Sequence, residues 1–142
     1  MRSDGTRVSA ITLDDDVRSV ADARAWVRDF LDGGGAASPC IEQAVLIVSE
    51  LTSNAIRHGS GEVICELAWF NDDRCFLSVV DFGQGRPTIV ERDPEDIGGL
   101  GLVIVEHLAI EWGVAPFDGG KAVFAVFDTM GDGDTEALHA VA

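Results

Sequence analysis

Two stretches rich in β-branched and aromatic residues, 62–70 and 74–81, flank the polar triplet Asn71, Asp72 and Asp73. Runs of this kind around a short turn-forming stretch pair as an antiparallel hairpin. A hairpin with one apolar face needs a second layer to cover it, and helical patterns precede it. Residues 17–31 place Val17, Val20, Ala21, Trp26, Val27, Phe30 and Leu31 at roughly helical spacing, behind the acidic run Asp14, Asp15 and Asp16 and ahead of Gly33, Gly34 and Gly35. Acidic residues favour a helix start, and the glycines end the pattern. Ser38 followed by Pro39 matches an N-cap and a first helical position, with Glu42 as a first-turn acid. This second helix is expected to run to about Arg57 and to stop at His58, Gly59, Ser60 and Gly61.

The remaining elements fill out one domain. Residues 8–13 alternate weakly, as a short strand does. Between 81 and 101 the composition turns to glycine, proline and charge, which predicts a long functional loop. A third helix opening at 98–101 carries Leu102, Val103, Val105, Leu108 and Ala109, and a second hairpin joins 110–115 to 121–127 around 116–120. The order predicts an α+β two-layer sandwich, with helices packed on one face of a mainly antiparallel mixed sheet. The expected domain spans 8–128, and residues 129–142 read as a mobile tail.

A chain of 142 residues with 46% apolar and 25% charged residues buries a core without a metal or disulfide staple. Its net charge of −15, with no basic stripe, argues against a direct nucleic-acid partner. Such a surface suits solubility or a basic protein partner. Cys40, Cys65 and Cys75 have neither zinc-site spacing nor an even count, so a reducing cytoplasm is expected. The first residues lack an apolar leader core, and no stretch has the roughly 20 apolar residues of a membrane span.

Chemistry-bearing residues fall in three places. Glu50, Asn54 and His58 are four apart on the second helix, and the small rotation between them makes one polar stripe. Ile47 and Leu51 flank it, so an acid and an amide there need partners to offset about 1–3 kcal/mol of desolvation each. Asp81, Phe82, Gly83, Gln84 and Gly85 follow an apolar strand, and Gly98, Gly99, Leu100, Gly101 and Leu102 open a helix. Glycines permit close backbone approach to a ligand, and a glycine-rich helix start offers N–H groups to phosphate.

These residues together resemble the GHKL ATPase superfamily, and most of all its short, stand-alone anti-sigma-factor serine kinases. The segment from Glu50 through Asn54 to His58 resembles the N-box, Asp81 to Gly85 the G1 box, and Gly98 to Leu102 the G2 box, over roughly residues 13–127. Ala23 with Arg24, Val48 to Leu51, and Glu111 to Val114 are similar to the same group. The resemblance implies a Bergerat-type fold that binds ATP and Mg²⁺. In it Asn54 would ligate the metal, a hard cation that takes oxygen ligands. Glu50 would act as the catalytic base on an attacking hydroxyl. Asp81 would accept from the adenine 6-amino group, where guanine presents an acceptor. Gly83, Gly85, Gly98, Gly99, Leu100, Gly101 and Leu102 would surround the nucleotide, beneath a lid at 86–97, and His58, Arg57 and Arg92 would add positive charge.

The implied protein sequesters a sigma factor and phosphorylates an anti-sigma-factor antagonist. The alternative is a nucleotide-gated binding module of the same fold that transfers no phosphate. A homodimer is also implied, for which an exposed first helix bearing Trp26 and Phe30 offers a surface, unless those residues are core. Two departures stand out. Ile97 to Leu100 lacks the arginine or further flexible residue that many relatives carry beside the last glycines, and Gly119, Gly120, Lys121, Ala122 and Val123 resemble the superfamily's terminal G-T-x-V segment without its threonine.

Overall fold

The computed structural model describes residues 6–58, 61–70, 73–83 and 97–130, with backbone only for 97–102. Its elements are β1 (Arg7–Leu13), α1 (Ser19–Gly33), α2 (Ser38–His58), β2 (Val63–Trp69), β3 (Arg74–Asp81), α3 (Ile97–Leu108), β4 (Glu111–Phe117) and β5 (Gly120–Asp128). The strands form one five-stranded sheet in the order β1-β2-β3-β5-β4, antiparallel at every neighbouring pair. Both expected hairpins are present, closing at Trp69 opposite Cys75 and at Phe117 opposite Gly120.

Period-two alternation decides which face of the sheet is covered. Cys65 and Leu67 on β2, Cys75, Leu77 and Val79 on β3, and Val123, Ala125 and Phe127 on β5 are buried in one cluster. From the helices, Val27 and Leu31 of α1, Ile47, Val48 and Leu51 of α2, and Val105 of α3 join the same cluster. Each such large side chain contributes roughly 1.5–3 kcal/mol on burial. Helix α2 is central: it packs against α1 and α3 and lies over β2, β3 and β5.

Several boundaries differ from the sequence reading, each for a local reason. Helix α1 begins at Ser19, not at the acidic run. Asp16 instead builds a turn, its Oδ1 accepting from the Arg18 N–H at 2.9 Å while its carbonyl accepts from Ser19 N–H at 2.8 Å. Val17, which fits the apolar periodicity, lies in that turn and is 74% exposed. Glu42 lies beyond the first turn of α2 and pairs with Arg28 of α1 at 2.7 Å. Strand β4 continues through Pro116 and Phe117, which an edge strand tolerates because the missing proline donor faces no neighbour. The turn shrinks to Asp118 and Gly119, the latter at φ +99.

Trp26 and Phe30 are taken up by the fold. Phe30 is buried and packs 6.5 Å from the Trp69 ring, and Trp26 donates its indole N–H to Ser9 Oγ at 2.9 Å. They do not form a free apolar stripe for a second copy. Past β5, Thr129 is fully buried and both its N–H and Oγ1 donate to the Asp73 carbonyl. Residues 131–142 of the expected tail lie outside the described residues.

Candidate functional site

Helix α2 is built around its own polar groups. Ser49 is buried and accepts from Arg24 Nε at 3.0 Å and Nη2 at 2.8 Å. This contact from α1 fixes the rotation of α2 at the turn that carries Glu50. Thr52, fully buried, returns its hydroxyl to the Val48 carbonyl at 2.6 Å, so it needs no outside partner. Glu50 is half-buried. Asn54 is 8% exposed, and among the described residues no hydrogen bond engages its side chain. Its amide atoms are not among the fully buried unpaired polar atoms of the described residues, so they keep contact with solvent and are open to an outside ligand. His58 is half-buried and Arg57 exposed, both in the last turn of α2. There a cation also complements the helix dipole.

Strand β3 packs against this helix. Along β3 the residues Cys75, Leu77, Val79 and Asp81 share the helix-facing row, so a carboxylate terminates an otherwise apolar line. Asp81 is 1% exposed. Its Oδ1 accepts from the Gly83 N–H at 3.0 Å. Its Oδ2 accepts from Lys121 Nζ at 2.8 Å. Lys121, 3% exposed, sits directly opposite Asp81 in the β3–β5 register, so the pair is a cross-strand ion pair shut away from water. Gly120 makes this approach possible. A Cβ there would run into the Asp81 carbonyl oxygen, the Phe82 Cα and the Phe117 ring.

Helix α3 brings the third group. Gly98, Gly99, Leu100, Gly101 and Leu102 all fall inside its first turns, and α3 packs against α2. The first four N–H groups of a helix have no partner within it, so this end can receive phosphate oxygens. Among the described residues no cluster of three or more His, Cys, Asp or Glu could hold a metal.

Helix α2 thus packs against both β3 and α3, the elements that carry Asp81 and the glycine run. Gly85, Arg92 and the expected lid at 86–96 lie outside the described residues. The residue that sequence reasoning missed is Lys121, noticed only for the threonine it replaces. Its contact spans forty positions, and its one signal was a cation on the strand expected to pair beside Asp81.

Residues 13–127 match the family model described as histidine kinase-like ATPase domain. Among solved structures, the chain is similar to the crystal structure of the RsbU and RsbW domains of Rv1364c from Mycobacterium tuberculosis. The two share 26% identity and a TM-score of 0.69 over 86% of this chain. The match takes in 32% of that longer chain, so this protein spans about a third of its length.

Proposed function

The chain belongs to the histidine kinase-like ATPase domain family, and from that premise we propose that it is an anti-sigma-factor serine/threonine kinase. It sequesters a sigma factor and phosphorylates an antagonist of that capture. The observation that carries this reading is the placement of Glu50 and Asn54 one turn apart on α2, a helix that packs against α3, whose first turns hold the glycine run. Asn54 would hold Mg²⁺ through its amide oxygen, and the α3 N–H groups would receive phosphate oxygens. Bound ATP would supply the γ-phosphoryl group, the bond from its phosphorus to the bridging oxygen breaking as ADP leaves. Glu50 takes the proton from the attacking seryl Oγ, which leaves the hydroxyl oxygen free to bond to phosphorus. Similarity to a structure containing an RsbW domain supports the partner-switching role.

The helix residues fit ATP and Mg²⁺, whereas Asp81, the residue that would select adenine, already holds Lys121. Titration calorimetry with Mg·ATP tests the binding site: Asn54→Ala should weaken binding by about tenfold or more. Phosphate transfer to a cognate antagonist tests the enzyme. Glu50→Ala should lower that rate by about 100-fold or more and change ATP affinity little. Transfer that persists in Glu50→Ala removes its role as base, and capture of a sigma factor without any transfer by the unaltered protein leaves the nucleotide-gated module in its place.

A further inference from the structure

The nucleobase-reading carboxylate is already engaged on both oxygens. Asp81 Oδ1 holds the Gly83 N–H at 3.0 Å and Oδ2 holds Lys121 Nζ at 2.8 Å. The two side chains of the ion pair are only 2% and 4% exposed. We propose that Lys121 is an internal competitor for the base, its ammonium standing where the amino donor of an incoming adenine must bind, so that nucleotide enters by displacing it. This inference rests on the ATP-binding reading and deepens it.

Charge chemistry sets the direction of the effect. An ammonium bonded to a carboxylate is a charge-assisted donor, roughly twice as strong as a neutral one. An exocyclic amino group is neutral. Replacing the first by the second on a buried carboxylate breaks an ion pair and strands two charges that were desolvated together. The threonine that the resembling superfamily carries here presents no such competitor. Sequence composition adds a second point: Lys121 is the one lysine in the chain, every other cationic side chain outside histidine being arginine. Arginine presents a rigid planar fork, whereas lysine carries a compact charge on a flexible stem. Rotation of that stem can release Asp81 without moving β5, which suits a displaceable occupant rather than a permanent plug. Nucleotide affinity is thereby set low.

Four proteins measured by calorimetry with Mg·ATP decide the matter: the unaltered chain, Lys121→Thr, Lys121→Gln and the double variant of Lys121→Thr with Asp81→Asn. The threonine variant should bind at least about tenfold more tightly than the unaltered chain. The glutamine variant, which keeps a neutral donor for Asp81, should fall between them. Adding Asp81→Asn to Lys121→Thr should abolish the gain, because the freed carboxylate is its source. Circular dichroism and melting curves without nucleotide establish that each variant folds, and if Lys121→Thr does not, the Lys121→Gln comparison decides alone. Binding to the unaltered chain as tight as, or tighter than, binding to the folded variants overturns the competitor and leaves the ATP reading intact. No binding of millimolar Mg·ATP to any of them overturns both.

Discussion

Gly120 sets how closely β5 approaches the end of β3, since a methyl group there meets the Asp81 carbonyl, which as main chain cannot rotate aside. Gly120→Ala should destabilise the fold by about 1–3 kcal/mol, read from urea denaturation, and should disturb the Asp81–Lys121 contact as it does so. An unchanged midpoint would show that the strand end yields freely. The cysteines offer a second check at this scale. Burial pushes the thiols of Cys65 and Cys75 up to about 12, far above the ordinary value near 8.5. Labelling with a thiol reagent at pH 8 should therefore be slow in the native protein and fast in denaturant; rapid native labelling of either would contradict their placement in the core. At this scale the sequence was readable where chemistry is local. Asp81 at a strand end and Glu50 with Asn54 on one helix face follow from spacing alone. The partner of Asp81 does not, because it depends on the register of two strands far apart in the chain.

Among the elements, α1 shows what periodicity can and cannot decide. Helical spacing selected Val17 and Leu31 alike, yet Val17 is 74% exposed and Leu31 is fully buried. The difference arises from Asp16, whose carboxylate and carbonyl close a turn just ahead of the helix. Leu31→Ala should cost about 2–5 kcal/mol, whereas Val17→Ala should stay within about 0.5 kcal/mol, both measured by denaturant unfolding. Comparable losses at the two positions would contradict the observed start of α1. The docking of α1 on α2 also has a pH signature. The side-chain hydrogen bond from Arg28 holds the Glu42 carboxyl below its ordinary value. Its folded value being depressed, this contribution is complete above the unfolded carboxylate range and disappears as pH falls through the folded one. A double-mutant cycle of Arg28→Gln and Glu42→Gln should show small coupling at neutral pH that fades on acidification and in salt. Coupling that grows at low pH would reverse the assignment. The hairpins were legible because turn residues and β-rich runs mark them; the partner of Glu42 was not, since it lies on another helix.

For the whole molecule the governing quantity is charge. A net −15 on 142 residues repels itself in the compact state more than in the expanded one. Raising sodium chloride from about 0.1 M to about 1 M shortens the screening length from about 10 Å to about 3 Å, and should raise the melting temperature. A fall would mean that attractive pairs such as Arg28–Glu42 dominate instead. None of the described helices is long and apolar enough to cross a membrane. The sandwich architecture was legible from the order of elements. The sheet pairing that sets β5 between β3 and β4 was not, because the sequence does not state which edge receives the last hairpin. A single lysine has one further consequence for spectroscopy. Reductive methylation with isotopically enriched formaldehyde would tag just one side-chain amine in this chain beside the terminal α-amine, and the lysine resonance, identified by its loss in Lys121→Gln, would report the Asp81–Lys121 contact. Reagent should reach that amine slowly while it is clasped by Asp81, so the rate at which the signal appears becomes a clock for the opening of the site.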